Sequence, residues 1–143
     1  MTAIDGATIY TDTYNVIYYN VSGILAGSIN GPYTAFPDKN FPGYPICTIT
    51  SADVGYSPKT LGSNYITDYS LGVGVILYSK SVKDLDQLSN KLISGLSASD
   101  KSSNGLCASG LMLFNITSSL LNTQTFGNDR VHSRTFGVTG RAN

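Results

Sequence analysis

The sequence predicts an α+β domain in which two helices pack on an antiparallel four-stranded sheet, in the order helix, strand, strand, helix, strand, strand. Two segments carry apolar residues at steps of three and four, which is typical of amphipathic helices. Four short segments are apolar or alternate between apolar and polar residues, which is typical of strands. The length of 143 residues matches one domain with one core, so we assign residues 1–143 to a single domain.

The first predicted helix covers about residues 12–26. Asp12 or Thr11 is expected to cap its start by accepting a bond from an early backbone N–H, and Gly27 is a natural stop. Its apolar stripe consists of Tyr14, Ile17, Val21, Ile24 and Leu25.

A long loop is predicted next, because residues 30–44 contain three prolines and two glycines. Long loops without secondary structure are usually functional or disordered. Its aromatic residues are interpreted either as an exposed contact surface or as a lid that folds over the core, and the lid is favoured for two of them, Phe36 and Phe41. The other two are Tyr33 and Tyr44.

The four predicted strands lie at residues 46–51, 65–78, 111–117 and 130–139. The second is the clearest, because Tyr69, Leu71, Val73, Val75 and Leu77 alternate with small or polar residues and so share one face. Alternation of this kind favours an antiparallel sheet with one covered face, because buried parallel strands read as continuous apolar runs.

The second predicted helix covers residues 81–96. Ser81 and Asp84 resemble a capping box, in which Ser81 accepts a bond from an early backbone N–H. An apolar stripe follows at steps of three and four, and we expect it to pack on the sheet. This stripe consists of Val82, Leu85, Leu88, Leu92 and Leu96.

The composition favours association over recognition of charge. The formal net charge is zero and the charged fraction is 13%, well below the roughly 25% of ordinary soluble domains. A nucleic-acid binder needs a clustered basic face, and the one basic cluster here is Arg130, Arg134 and Arg141. Near-zero net charge and ten tyrosines favour protein contacts. The alternative is simply a polar surface in a lineage that avoids Lys and Glu.

No catalytic or metal-binding constellation is visible in the sequence. His132 is the single histidine, there is no Glu, and the Asp residues are scattered. Cys47 and Cys107 are interpreted as small buried hydrophobic residues. We therefore predict no catalytic residue, no metal and no cofactor. No secretory signal or membrane-spanning run is seen, so we expect a soluble protein made inside a cell.

In order, these elements resemble those of the tail terminator, or tail completion, proteins of long-tailed bacteriophages and related viruses. The resemblance rests on the N-terminal helix and the Pro-rich segment 41–46 that leads into a strand. It continues with the long strand 69–78, the amphipathic helix 81–96 and the closing strands that end at 134–138. It covers most of the chain as one tail-terminator-like domain.

The resemblance implies a structural virion protein, not an enzyme. It implies a subunit of a six-fold ring that terminates the tail tube and joins it to the head or neck, located in the virion and assembled in the host cytoplasm. The implied partners are copies of itself, the tail tube protein and head or neck connector proteins. Membranes and sequence-specific nucleic acid are not among them.

A ring built by head-to-tail contacts needs two different complementary patches on each subunit. We expect the loops 27–44, 53–64 and 97–110 to supply them. The candidate interface residues are Tyr33, Phe36, Phe41, Tyr44, Tyr56, Arg130, Arg134 and Arg141.

Other functions remain open on the sequence alone. A sibling interpretation is another head-to-tail connector or a component of the tail tube. Two functions of a different class are a small monomeric enzyme that uses Asp53 or Asp68 in a loop-walled cleft, and a ligand-binding module with Tyr33, Phe36 and Tyr44 as its platform.

Overall fold

The computed structural model describes residues 6–36, 42–61, 64–101, 106, 110–126 and 128–142. A short 3-10 helix, Gly6–Thr8, precedes the first α-helix. The helices are α1 (Ile9–Ile24) and α2 (Val82–Lys101). The strands are β1 (Asn30–Tyr33), β2 (Ile46–Ile49), β3 (Asp53–Leu61), β4 (Asn64–Ser79), β5 (Leu111–Ser118), β6 (Asn122–Phe126) and β7 (Asp129–Ala142).

The prediction of an antiparallel four-stranded sheet is wrong, because the described residues form one seven-stranded sheet. The sheet is mixed: β1 pairs with β2 in parallel, while the other five strand pairings are antiparallel. The element order is one helix, four strands, a second helix and three strands, not the predicted alternation of one helix with two strands. The four predicted strands correspond to β2, β4, β5 and β7.

The three missed strands, β1, β3 and β6, lie at the periphery of the sheet. β3 pairs with β4 and β6 pairs with β7, and no other described strand pairs with either of them. A peripheral strand is partly exposed on its faces, so its sequence need not alternate between apolar and polar residues. Pro32 and Pro58 also fit there, because proline is tolerated in strands mainly at sheet edges. The prolines and glycines of residues 30–44 and the polar composition of the segment that contains β3 made these segments read as loops.

Two long strands, β4 and β7, form the centre of the sheet. They pair with each other from Tyr69 opposite Ala142 to Ser79 opposite His132. β2 and β3 follow one another along the outer side of β4, and we call them the β2–β3 edge. β1 covers the outer side of β2, so β3 is the open part of this edge. β5 and β6 follow one another along the outer side of β7, and we call them the β5–β6 edge.

Hairpins project from opposite ends of this sheet. Residues 64–68 of β4 pair with β3 but lie beyond the last pairing with β7, so the β3–β4 hairpin projects from one end. Residues 129–131 of β7 pair with β6 but lie beyond the last pairing with β4, so the β6–β7 hairpin projects from the other end. The sheet therefore carries a different hairpin at each end.

The core lies between the two helices and one face of the sheet. The predicted row on β4 from Leu71 to Leu77 is buried and faces the helices, as does Phe136 of β7. The helices touch where Gly95 of α2 meets Ile24 of α1: a Cβ on Gly95 would lie 2.5 Å from the Ile24 Cγ2 atom. In β4 and β7 the core residues of the alternating pattern lie on one face of the sheet, and both helices pack on that face.

The helix ends differ from their predictions: α1 ends at Ile24, before the predicted 26, and α2 continues to Lys101, so the first five residues of the predicted loop 97–110 are helical. Ser81 does cap α2, since its Oγ accepts a bond from the Asp84 backbone N–H at 3.4 Å. α1, however, begins after Thr8, and Asp12 and Thr11 lie inside the helix. The Thr8 hydroxyl donates to the Asp12 Oδ2 at 2.7 Å, so Asp12 stabilises the first turn through a side chain and does not cap it.

Candidate assembly surfaces

Phe36 and Tyr44 come together in an aromatic cluster with Tyr78 of β4. The Phe36 ring centroid lies 5.1 Å from that of Tyr78, in an edge-to-face arrangement, and 6.4 Å from that of Tyr44. Such pairs contribute about 0.5–1.5 kcal/mol beyond the area they bury. Tyr78 has the opposite parity to the buried row of β4, so Phe36 packs on the sheet face away from the helices and not over the core as a lid would. Phe41, the other residue assigned to the lid, lies outside the described residues.

The aromatic cluster is tied to the β6–β7 hairpin by charge. The Lys80 Nζ lies 6.0 Å from the centre of the Tyr44 ring and 3.0 Å from the Asp129 Oδ1. Burial raises the pKa of the Tyr44 hydroxyl, and the Asp129 carboxylate raises it further, while Lys80 opposes the change. These contacts hold Tyr44 against the sheet within its own chain.

The other two tyrosine candidates lie on strands, not on loops. Tyr33 ends β1 and is half-buried. Tyr56 lies on β3, where the sequence predicted a loop; its side chain is 61% exposed and its ring centroid is 5.6 Å from that of Tyr69. Tyr56 is therefore the more accessible of the two for a partner.

Arg134 forms an ion pair inside its own chain. Its Nη1 lies 2.7 Å from the Asp86 Oδ1 on α2 and donates to the Ser89 hydroxyl at 3.3 Å. The Arg134 side chain is only 22% exposed. It sits on the helix-covered face of β7, where it ties the sheet to α2.

The structure divides the predicted basic cluster between two faces. Arg130 and Arg134 share one face of β7, as the spacing of four predicts for a strand, and Arg130 is exposed. Arg141 has the opposite parity and lies on the other face, paired in register with Ser70 and Met112. Among these three residues, Arg130 is the exposed one at the base of a projecting hairpin.

The face of the sheet away from the helices is built largely from small uncharged residues. Along the central strands Gly72 pairs with Thr139, and Gly74 pairs with Gly137. Glycines on an exposed strand face let another backbone approach closely. The aromatic cluster with Tyr78 covers one end of this face, and Arg141 lies on it near the other end.

Two leucines that the sequence analysis did not single out are among the most exposed apolar side chains described. Leu120 is 92% exposed and Leu121 is 40% exposed, and both lie between β5 and β6. The sequence signal was available: residues 102–128 contain no charged side chain, so nothing there protects the leucines or the strand edge beside them.

Of the two Asp residues considered for catalysis, Asp53 lines a cleft of about 580 Å³, and this cleft is walled by strands and helix α1, not by loops. Asp53 begins β3 opposite Gly72, and Asp68 lies on β4 opposite Ser57, so both belong to the β3–β4 hairpin. Within the described ranges, no group of three or more His, Cys, Asp or Glu side chains is placed to hold a metal ion. In the same part of the chain, no helix is long and apolar enough to cross a membrane.

No protein-family model matches this chain, and no curated protein sequence matches it.

Proposed function

We propose that this chain is a structural virion subunit that forms a ring, ends the tail tube and joins it to the head or neck. The observation that carries the proposal is the pair of unlike open edges on its sheet. Within the described chain, β3 has no strand on its outer side, and neither do β5 and β6. Two different edges on one subunit meet the requirement of a head-to-tail ring for two different patches.

The projecting hairpins also support the proposal, because they point along the strands, perpendicular to the direction in which the sheet edges would meet. If the subunits stand side by side in a ring, the β3–β4 and β6–β7 hairpins point to opposite faces of that ring. One face would then meet the tube and the other the head or neck. The exposed Tyr56 and Arg130 belong to these two hairpins, and we propose them as contacts with the tube and connector proteins.

The surface composition is consistent with assembly by close contact. The sheet face away from the helices is rich in Gly, Ser and Thr, and the chain has no net charge. A partner therefore meets few charges whose desolvation it would have to offset. Backbone hydrogen bonds at the open edges and exposed apolar side chains supply the contact.

The experiment is to measure the mass of the chain by light scattering, alone and mixed with the tail tube protein of the same virus. We expect a ring, which we propose to be six-fold, and electron microscopy should locate it at tube ends. Labelling along the whole tube would instead favour the sibling function of a tube component. A chain that stays monomeric in both conditions contradicts the proposal.

A further inference from the structure

The two exposed leucines form a bulge in the β5–β6 edge. Ser118 pairs with Phe136 and Asn122 pairs with Ser133, so residues 119–121 stand opposite only two residues of β7. The Ser119 backbone N–H donates to the Thr135 carbonyl at 2.9 Å, which keeps the bulge in place. The extra residue turns Leu120 out of the edge, beside Leu121. We call residues 119–121 the leucine bulge.

The rest of the β5–β6 edge lacks the usual protection against pairing. Natural edge strands are blunted by charged residues or proline, and residues 111–126 contain neither. The described side chains on both sides of the leucine bulge, from Ser118 to Thr125, are exposed and uncharged. The leucine bulge is therefore an exposed apolar knob on an uncharged edge. A neighbouring molecule can approach this edge without burying one of its charges.

A groove that fits such a knob lies at the opposite edge of the sheet, where β2 ends and β3 begins. Its volume is about 360 Å³, and it is lined by Tyr10, Thr11, Tyr14, Thr34, Ile49 and Ser51. Sites that accept apolar groups commonly have volumes of about 300–1,000 Å³. None of the lining side chains is charged, so the groove is complementary to an uncharged knob.

The knob and the groove lie at nearly the same level of the sheet. Thr50, beside the groove, bonds to Gly74 of β4, and Gly74 pairs with Gly137 of β7. The leucine bulge stands opposite Arg134 and Thr135, which are two to three residues from Gly137 along β7. At about 3.3 Å per residue this is a stagger of roughly 7–10 Å. Two copies placed edge to edge can therefore bring the knob of one to the groove of the next with a small shift.

We propose that Leu120 and Leu121 of one copy insert into the groove beside Tyr10 and Ile49 of a second copy of this chain. The contact joins opposite edges, so it is head-to-tail and leaves a further groove and a further knob for the next copies. This inference rests on the proposed ring and names the contact that closes it.

The first test compares substitutions on both sides of the contact. The double variant Leu120→Ser with Leu121→Ser should weaken self-association at least about tenfold, because it removes two buried apolar side chains. Tyr10→Ser should act in the same direction from the groove side. The matched control is Tyr19→Ser, which alters a residue that is 64% exposed and outside the contact. Sedimentation velocity over a wide concentration range gives the constants.

The second test is a disulfide between copies. In a background with both native cysteines replaced by serine, Leu120→Cys and Ser51→Cys are combined in one chain. The two positions lie on opposite edges, three strand spacings or roughly 14 Å apart, which is too far for a bridge within one chain. Mild oxidation should yield covalent dimers and larger species. Leu120→Cys combined with Tyr19→Cys should not.

The outcomes separate this inference from the proposed function. Rings that persist in the leucine double variant, without a disulfide ladder, overturn this contact and leave the ring proposal standing. A wild-type chain that is monomeric alone but forms a ring on the tube protein also overturns the inference, because the contact between copies would then not be strong enough to hold them together. A chain that is monomeric in both conditions overturns the ring itself.

Discussion

Arg134 of β7 and Asp86 of α2 are joined by a 2.7 Å contact that links the sheet to the second helix. Arg134 is mostly covered, whereas Asp86 is 54% exposed. Arg134→Ala should lower the free energy of unfolding by about 1–3 kcal/mol, because the bonds to Asp86 and Ser89 are lost. Asp86→Ala should cost about 0–1 kcal/mol, since solvent screens the exposed carboxylate. Urea denaturation of both variants measures these changes.

The control for this prediction is Arg130→Ala, which removes an exposed Arg on the same face of the same strand. It should change stability by less than about 0.5 kcal/mol. If Arg134→Ala is equally silent, the contact with α2 contributes nothing measurable. Because Arg134 forms its ion pair within its own chain, substituting it is a poor test of subunit contacts. Arg130 is the better choice for that purpose.

Gly74 and Gly72 form a matched pair that tests how closely the β2–β3 edge packs. A Cβ on Gly74 would lie 2.8 Å from the Thr50 Oγ1, whereas a Cβ on Gly72 would lie 3.8 Å from the Thr139 Cγ2. Gly74→Ala should therefore cost about 1–3 kcal/mol. Gly72→Ala should be nearly neutral. Thermal or denaturant unfolding distinguishes the two variants.

Thr50 is the residue that should decide this cost, because its hydroxyl accepts a bond from the Gly74 backbone N–H at 2.9 Å. In a Thr50→Ala background the hydroxyl is gone, so adding Gly74→Ala should have a much smaller effect. Equal effects of Gly74→Ala in the two backgrounds would show that the close approach to Thr50 is not the cause.

The buried leucine stripe of α2 predicts a large core effect. Leu92 is fully buried and Leu88 is 6% exposed. Either residue changed to Ala should destabilise the fold by about 2–5 kcal/mol, through lost burial and the cavity left behind. Lys83→Ala, on the exposed side of the same helix, is the control. Denaturant curves in which Leu92→Ala matches Lys83→Ala would contradict the packing of α2 on the sheet.

Cys47 should be an unreactive thiol in the folded protein. Burial raises the pKa of its thiol from 9.0 to about 12. Since the thiolate is the reactive form, a thiol reagent at neutral pH should modify it only on unfolding. The measurement uses a Cys107→Ser background with and without denaturant, so that a single thiol is followed. Rapid modification of the native protein would contradict the burial.

The same raised pKa predicts how stability changes at alkaline pH. The unfolded thiol ionises near its ordinary pKa of 9.0, while burial raises the pKa of the folded thiol to about 12. The contribution of Cys47 to stability is therefore complete below the unfolded pKa of 9.0 and is lost as the pH rises toward the folded value of about 12. Cys47→Ala should lose less stability than its parent over that interval, and parallel curves would count against this linkage.

Local pattern was enough to determine both helices and the central strand. The leucine stripe of α2 and the alternating row on β4 each result from burial of one side of a regular element, and such burial can be read from the spacing of apolar residues. The Ser81 cap of α2 was recognisable from its short local motif. Helix α1 was predicted from the same signal, with its start misplaced by about three residues, because helix ends depend on single contacts such as that of Thr8 with Asp12.

Of the predicted contact residues, sequence alone identified Tyr56 and Arg130 by type, and the structure leaves both exposed. It could not show that Arg134 meets Asp86, which is 48 positions away in the chain. Nor could it show that Phe36 packs on Tyr78, on the sheet face away from the core. Contacts between distant segments depend on how the elements pack, and their partners leave no local signal.

The sequence by itself determined the amphipathic elements, the low charge and the aromatic content of this protein. The tertiary structure decided the edges: that β3 and β6 are strands, that β1 runs parallel to β2, and that the leucine bulge and the groove lie on opposite sides of one sheet. The physical reason is that an edge strand is held by backbone hydrogen bonds, which every residue except proline can make in full. Its side chains therefore need not follow the apolar periodicity by which buried elements are recognised in a sequence.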